Sequence, residues 1–292
     1  MNKFIWIDGK IFPEDQAKIS RTDLGLIRGY GVFDFFRTYK KTPFHLLDHF
    51  HRFEKSAQLL DLQLPYSLEI IEKGIDELID CFDKENIGIK FYLTGGESSD
   101  AFTLSNDPSF WMIAQEINPQ PLDYALNLKT ISHQREWPEA KTTNYQLATY
   151  FAKKYRQQGY QDIIYVDKEQ NLLESSTSNL FFIKKNTIYT PSSNILEGIT
   201  RNIVLELAKP YFSIELRPIS LSELKEMQEC FITSTTKEIC PVNLVDDHKM
   251  ESSQFDSKTS FLKNLFQDYT LKFHHSFKID STRGCKITHS VF

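Results

Sequence analysis

Several segments of this 292-residue chain carry side chains that could do chemistry together. In Glu139-Ala-Lys-Thr-Thr-Asn-Tyr145, Lys141 follows Pro138 and precedes a helix-patterned stretch, Gln146–Gln158. A neutral lysine amine attacks carbonyl carbon, and junctions between elements are where such groups are commonly mounted. Glu174 heads the small polar run of Leu173-Glu-Ser-Ser-Thr-Ser-Asn-Leu-Phe-Phe182. Gly198-Ile-Thr-Arg201 enters a helical pattern (Ile203, Val204, Leu207), so the amides of Ile199 and Thr200 can face an anion. Arg52, in His49-Phe-His-Arg52, offers the planar fork that a phosphate accepts, and Thr233-Ser-Thr-Thr-Lys-Glu238 is a hydroxyl-rich turn containing Thr235 and Thr236. Each has an ordinary alternative: an exposed lysine or helix arginine, a solvent-facing strand glutamate, a common Ser/Thr turn.

Two α/β units are needed to hold these segments. In the first, short strands Phe4–Asp8 and Lys10–Phe12 flank an Asp8-Gly9 hairpin, and Gly31–Tyr39 begins a second hairpin closed by Pro43–Leu46. Asp48 is expected to cap a helix with Phe50, Phe53, Ala57 and Leu60 at helical spacing, and Ser67 to cap another carrying Ile70, Ile71, Ile75, Leu78 and Ile79. Ile87–Thr94 and Phe110–Gln115 read as strands. Two prolines in Ile117-Asn-Pro-Gln-Pro-Leu122 place a linker at 118–125, between a small domain (1–117) and a larger one (126–275). In the larger unit, strands Asn127–Ile131, Ile163–Val166, Leu180–Ile183 and Cys230–Ser234 alternate with helices Gln146–Gln158, Thr200–Tyr211 and Lys258–Phe273. Residues 276–292 show no core pattern.

Composition narrows the class. With 40% hydrophobic and 13% aromatic residues the chain can bury a substantial core, and a formal charge of -5 leaves no basic footprint for nucleic acid. Its apolar runs are shorter than a membrane span, and the N-terminal one is too short for a signal peptide, so a cytoplasmic protein is expected. Cys81, Cys230, Cys240 and Cys285 form no CxxC pair and read as free thiols, with no metal site.

Lys141, Glu174 and the Gly198-Ile-Thr-Arg201 turn, in this order, resemble the class IV (fold-type IV) pyridoxal-phosphate aminotransferases, the family of branched-chain and D-amino-acid transaminases. The resemblance implies an α/β (α+β) fold of two domains, similar to D-amino-acid aminotransferase. It places pyridoxal 5'-phosphate in the cleft and implies a homodimer whose partner loop completes the substrate pocket. By the same resemblance Lys141 forms the Schiff base and shuttles the proton, and Glu174 partners the pyridine nitrogen. Arg52, Ile199, Thr200 and Thr235 hold the phosphate, and Tyr145 lines the pocket, unless it is a buried structural tyrosine.

The substrate side is less regular. Gly88-Ile-Lys-Phe-Tyr-Leu-Thr-Gly-Gly96 fits neither the usual D-amino-acid branch nor the branched-chain one. Leu26-Ile-Arg-Gly-Tyr-Gly-Val-Phe-Asp34 is similar to a less usual group of D-amino-acid transaminases, which implies that Arg28 and Lys90 clamp a carboxylate, with Tyr30 and Thr236 beside it. Lys90 also reads as a strand-edge surface charge. The implied activity is amino transfer between a D- or branched-chain L-amino acid and a 2-oxo acid such as 2-oxoglutarate. The alternative is 4-amino-4-deoxychorismate lyase, which is similar in scaffold and lysine and eliminates pyruvate. A non-catalytic cofactor binder would have no need of both Lys141 and Glu174.

Overall fold

Apolar runs of five to nine residues, too short for helices, become strands in both halves of the chain. The computed structural model describes residues 3–118, 120–121 and 124–281, with side chains through 273. The first sheet runs Lys10–Pro13, Lys3–Ile7, Ser109–Glu116, Ile87–Thr94, Gly31–Tyr39, Thr42–Pro43, with every neighbouring pair antiparallel. Helices Leu46–Leu59 and Leu68–Asp80 cover one face, where Phe36, Phe53, Ile71, Ile75 and Phe91 are fully buried. Side chains alternate across a strand, so the partners Phe33↔Tyr92 and Phe35↔Lys90 share the opposite face. That face is turned to the second half and forms one wall of a cavity.

The second sheet curls on itself. Asn179–Lys184, Glu229–Ser234, Glu238–Val245, Leu126–Ser132, Asp162–Val166 and Asn171–Ser175 pair in succession, and the Asn179↔Glu174 pairing joins the last strand back to the first. Leu128, Ile164, Leu172, Leu180, Ile232 and Val242 cluster in one core. Helices Ile199–Ala208 and Lys258–Ser281 pack against a separate core that contains Phe181, Phe231 and Phe266. The ring closes at a residue singled out for its chemistry, Glu174.

Several expectations need revision. Asp48 is not the helix cap: the helix begins at Leu46 after His45 (φ 52°), and Asp48 instead accepts a hydrogen bond from His45 Nδ1 at 2.6 Å. Ser67 is at the cap position, yet its hydroxyl makes no capping bond. The segment after Ser234, read only as a loop, turns into the strand Glu238–Val245, with Pro241 opposite Phe231. Pro241 lies one residue before that strand begins pairing with Leu126–Ser132, so no ladder bond is lost on that side. The first sheet ends at Glu116 and the second begins at Leu126, on either side of the expected linker. The last helix runs past Phe273 to Ser281; 282–292, with Cys285, lie outside the described residues.

Ties between the halves cluster beside the cavity. Glu238, held at φ 54°, accepts from Arg37 Nη1 at 2.8 Å and from Tyr39 Oη at 2.6 Å. Thr235 Oγ1 donates to the Phe35 carbonyl at 3.2 Å. Among the described residues no helix is long and apolar enough to cross a membrane, and no group of side chains is arranged to hold a metal.

Candidate active site

The turn carrying Lys141 is laced onto the first sheet. Lys141 N donates to Ser56 Oγ at 3.1 Å, its carbonyl accepts from Phe33 N at 2.9 Å, and Thr143 N donates to the Gly31 carbonyl at 2.9 Å. Lys141 therefore projects from a backbone fixed on both sides, into a cavity of about 530 Å³ between the halves. Its ammonium lies 4.6 Å from the Phe33 ring centroid. Burial and the nearby Arg52 guanidinium push its pKa down to about 8, against the pull of Asp34 and Glu174.

Glu174 lines the same cavity, and both its oxygens are engaged. Oε1 accepts from Arg135 Nε at 3.0 Å and Nη2 at 2.6 Å; Oε2 accepts from Leu196 N at 3.1 Å and more distantly from Asn179 Nδ2 at 3.4 Å. Burial pushes the carboxyl up, and Arg135 opposes that shift. Arg135 was missed by sequence reasoning. It also donates to the carbonyls of Trp137, Pro138 and Ala140, so it grips the turn bearing Lys141 while holding Glu174. The available signal was a lone arginine six residues before Lys141.

Arg52 is fixed by a buried carboxylate that the sequence reading also passed over. Asp34 projects to the helix-covered face of its strand, where it accepts Arg52 Nε at 2.8 Å, Arg52 Nη2 at 2.8 Å and His49 Nδ1 at 2.7 Å. Burial alone would raise the Asp34 carboxyl, but Arg52 and His49 outweigh it and hold it well below the usual carboxylate range. Arg52 Nη1 stays near the Glu197 carbonyl, 3.4 Å away, at the cavity margin.

Opposite, Gly198, Ile199 and Thr200 bring the start of helix Ile199–Ala208 to the cavity, and no side chain caps it. Its first amides are the donors that a helix leaves unpaired. Thr235 and Thr236 line the cavity beside them. So do the buried hydroxyls of Ser175 and Thr233, neither of which has a hydrogen-bond partner among the described residues. Orphaned buried hydroxyls, unpaired helix amides and an oriented guanidinium suit a phosphate-bearing ligand. Tyr145 packs edge-on to Phe33 at 5.7 Å, and burial pushes its phenol up to about 12.

The cavity thus gathers Lys141, Glu174, Arg52, Tyr145, Ile199, Thr200, Thr235, Thr236 and Lys90. It does not gather Arg28 or Tyr30. Gly29, at φ 68°, ends the short helix Leu24–Arg28 and turns the chain, leaving Arg28 Nε on the Ala101 carbonyl at 3.0 Å with its guanidinium 4.7 Å from the Phe102 ring. Tyr30 Oη donates to the Leu60 carbonyl at 2.5 Å, away from the cavity. Lys90, by contrast, is half-buried in the cavity wall and is not a strand-edge charge, because its strand has partners on both sides.

Gly198 admits no side chain. A Cβ there would stand 2.0 Å from Asn179 Oδ1, and Asn179 is pinned by its own bond to the Leu196 carbonyl at 2.7 Å. Overpacking costs about 1–3 kcal/mol, so Gly198→Ala should weaken retention of a phosphate-bearing ligand by roughly ten- to a hundredfold. Equilibrium titration of the ligand into wild type and variant checks this; equal affinities would remove the turn from the site.

Residues 31–245 match the family model described as amino-transferase class IV. The chain is 29% identical over 278 residues to the aminodeoxychorismate lyase of Bacillus subtilis, covering 90% of this chain and 93% of that protein. It is 27% identical over 282 residues to the D-alanine aminotransferase of Staphylococcus epidermidis, covering 91% and 97%. Its structure is similar to that of the T.th. branched-chain amino acid aminotransferase with pyridoxamine 5'-phosphate, with a TM-score of 0.84, 26% identity, and 92% and 94% of the two chains covered.

Proposed function

The chain belongs to the class IV aminotransferases, enzymes dependent on pyridoxal 5'-phosphate, and from that premise we propose that Lys141 is the amine that bonds the cofactor and moves the substrate's Cα proton. The observation that carries the reading is the meeting of Lys141, Glu174 and the uncapped start of helix Ile199–Ala208 in one cavity. When bound, the cofactor supplies an electron sink for the Cα electrons. Lys141 Nζ would hold the cofactor at its aldehyde carbon and, once freed, would move the substrate's Cα proton. Glu174 holds a proton on the pyridine nitrogen. Arg52, the amides of Ile199 and Thr200, and the Thr235 hydroxyl hold the phosphate. Phe33, Tyr92 and Tyr145 exclude water from the reacting carbon, and Lys90 draws in a substrate carboxylate.

The amino group moves between an amino acid, of D or branched-chain L type, and a 2-oxo acid such as 2-oxoglutarate. We place the enzyme in the cytoplasm, where the unpaired thiols Cys81, Cys230 and Cys240 suit a reducing compartment. It works as a homodimer. Leu26 and Phe102 are 68% and 77% exposed beside Arg28, an apolar surface suited to burial against a second copy. Arg28 would then serve the partner's cavity.

Absorbance of the purified holoenzyme, recorded after D-alanine, D-glutamate, L-leucine or 4-amino-4-deoxychorismate, tests the reading. Conversion of the bound cofactor to its amine form by an amino acid is the expected result, and the responding amino acid identifies the branch. Pyruvate release from 4-amino-4-deoxychorismate, with no response to any amino acid, would replace amino transfer by elimination.

A further inference from the structure

The cavity lining has an unbalanced charge. Arg52, Lys90, Arg135, Lys141 and Lys237 face it, against Glu174 alone. Two of these cations are already matched: Arg52 by Asp34 and Arg135 by Glu174. Lys141 is committed to the cofactor. That leaves Lys90 and Lys237, neither of which has a carboxylate within ion-pair distance among the described residues.

The two lysines come from different halves of the chain. Lys90 comes from the first sheet, over the Phe35 ring at 5.7 Å, where burial and the nearby Lys3 push its pKa down. Lys237 comes from the other half, at the tip of the turn between Glu229–Ser234 and Glu238–Val245. Its Nζ donates to Thr177 Oγ1 at 2.9 Å and approaches Ser178 Oγ at 3.4 Å, two hydroxyls of the polar run after Glu174. An ammonium has three donors, and Lys237 spends two of them on neutral acceptors, one of them weakly. The turn beneath it is rigid: Lys237 N donates to Ser234 Oγ at 3.2 Å, and the adjacent Glu238 is locked to Arg37 and Tyr39. An ammonium held this way over the cavity, unmatched by protein charge, is a receptor for an anionic group of the ligand.

We propose that Lys237 is a specificity-determining residue that holds the second carboxylate of a dicarboxylic substrate, while Lys90, on the opposite wall, holds the first. The proposal rests on the amino-transfer reading above and adds to it the residue of this chain that selects for a distal carboxylate. A monocarboxylic substrate satisfies one ammonium and leaves the other facing an apolar side chain.

The test uses acids that bind without reacting. Titration calorimetry on the holoenzyme compares glutarate with 4-methylvalerate for wild type, Lys237→Met and Lys237→Arg. Wild type should prefer glutarate. A hydrogen bond to a charged group contributes about 1.5–3 kcal/mol, so Lys237→Met should weaken glutarate roughly tenfold or more beyond its effect on 4-methylvalerate, and Lys237→Arg should restore most of the difference. Equal weakening of both acids would mean that Lys237 only ties the two turns together, and absence of a glutarate preference in wild type would equally overturn the proposal. Failure of the amino-transfer reading is seen separately, as spectral silence with every amino acid while the glutarate preference stands.

Discussion

Lys141→Ala is expected to lower amino transfer by about ten-thousandfold while leaving the fold intact. Alanine removes the buried amine that shares the cavity with Glu174, and in the proposed mechanism the same amine moves the Cα proton. Little stability should be lost. The turn is held by its backbone bonds to Ser56, Phe33 and Gly31, all of which survive truncation. The deleted ammonium has no carboxylate within ion-pair distance among the described residues, so its removal also relieves a desolvation cost. Unchanged circular dichroism and melting temperature, with lost turnover, would fit; retained turnover by the purified variant would refute the mechanism. The pH profile follows from the same group. A lysine must be neutral to attack an aldehyde, and with its pKa pushed down to about 8, about a tenth is neutral at pH 7. Loading of cofactor onto apoprotein should therefore accelerate as pH rises and level off above about 8. Arg52→Gln takes away one cause of the depression and should move that profile to higher pH.

The parts of this fold legible in sequence are those set by local pattern. Ile87–Thr94 is an apolar run interrupted by Lys90, and the structure gives that strand those bounds. The helix after Ser67 follows from Ile71, Ile75 and Leu78 at helical spacing. What was not legible depends on partners distant in the chain. Pro241 hides a strand because its tolerance depends on where a third strand begins to pair. Asp34 looks like a polar interruption of an apolar strand until helix Leu46–Leu59 brings His49 and Arg52 onto it. Tyr30 and Arg28 share a motif with the strand that follows, yet the left-handed Gly29 points them elsewhere. Motif order located the cluster of Lys141, Glu174 and Gly198; the counter-charges that orient it, Asp34 and Arg135, required the folded chain.

That dependence on counter-charge shapes the second large effect. Glu174→Gln preserves shape but removes a buried charge, and two consequences should be separable. Arg135 would be left as an unmatched guanidinium with a side chain only 16% exposed, and breaking a buried pair costs about 3–5 kcal/mol, so the melting temperature should fall. In the proposed mechanism the pyridine nitrogen would also lose the negative charge that keeps it protonated, so amino transfer should drop by roughly a hundred- to a thousandfold. Glu174→Asp separates the two. It shortens the reach to Arg135 and to Leu196 N while keeping the charge, so its structural cost should resemble that of Gln, whereas its rate should lie far above. Absorbance of the loaded protein titrated with pH gives an independent reading, because protonation of the ring nitrogen changes the spectrum. If Gln and Asp lose rate in proportion to their loss of stability, and the titration is the same in both, Glu174 acts only by holding Arg135 and the Lys141 turn. A rate difference of tenfold or more at matched stability places the charge itself in the reaction.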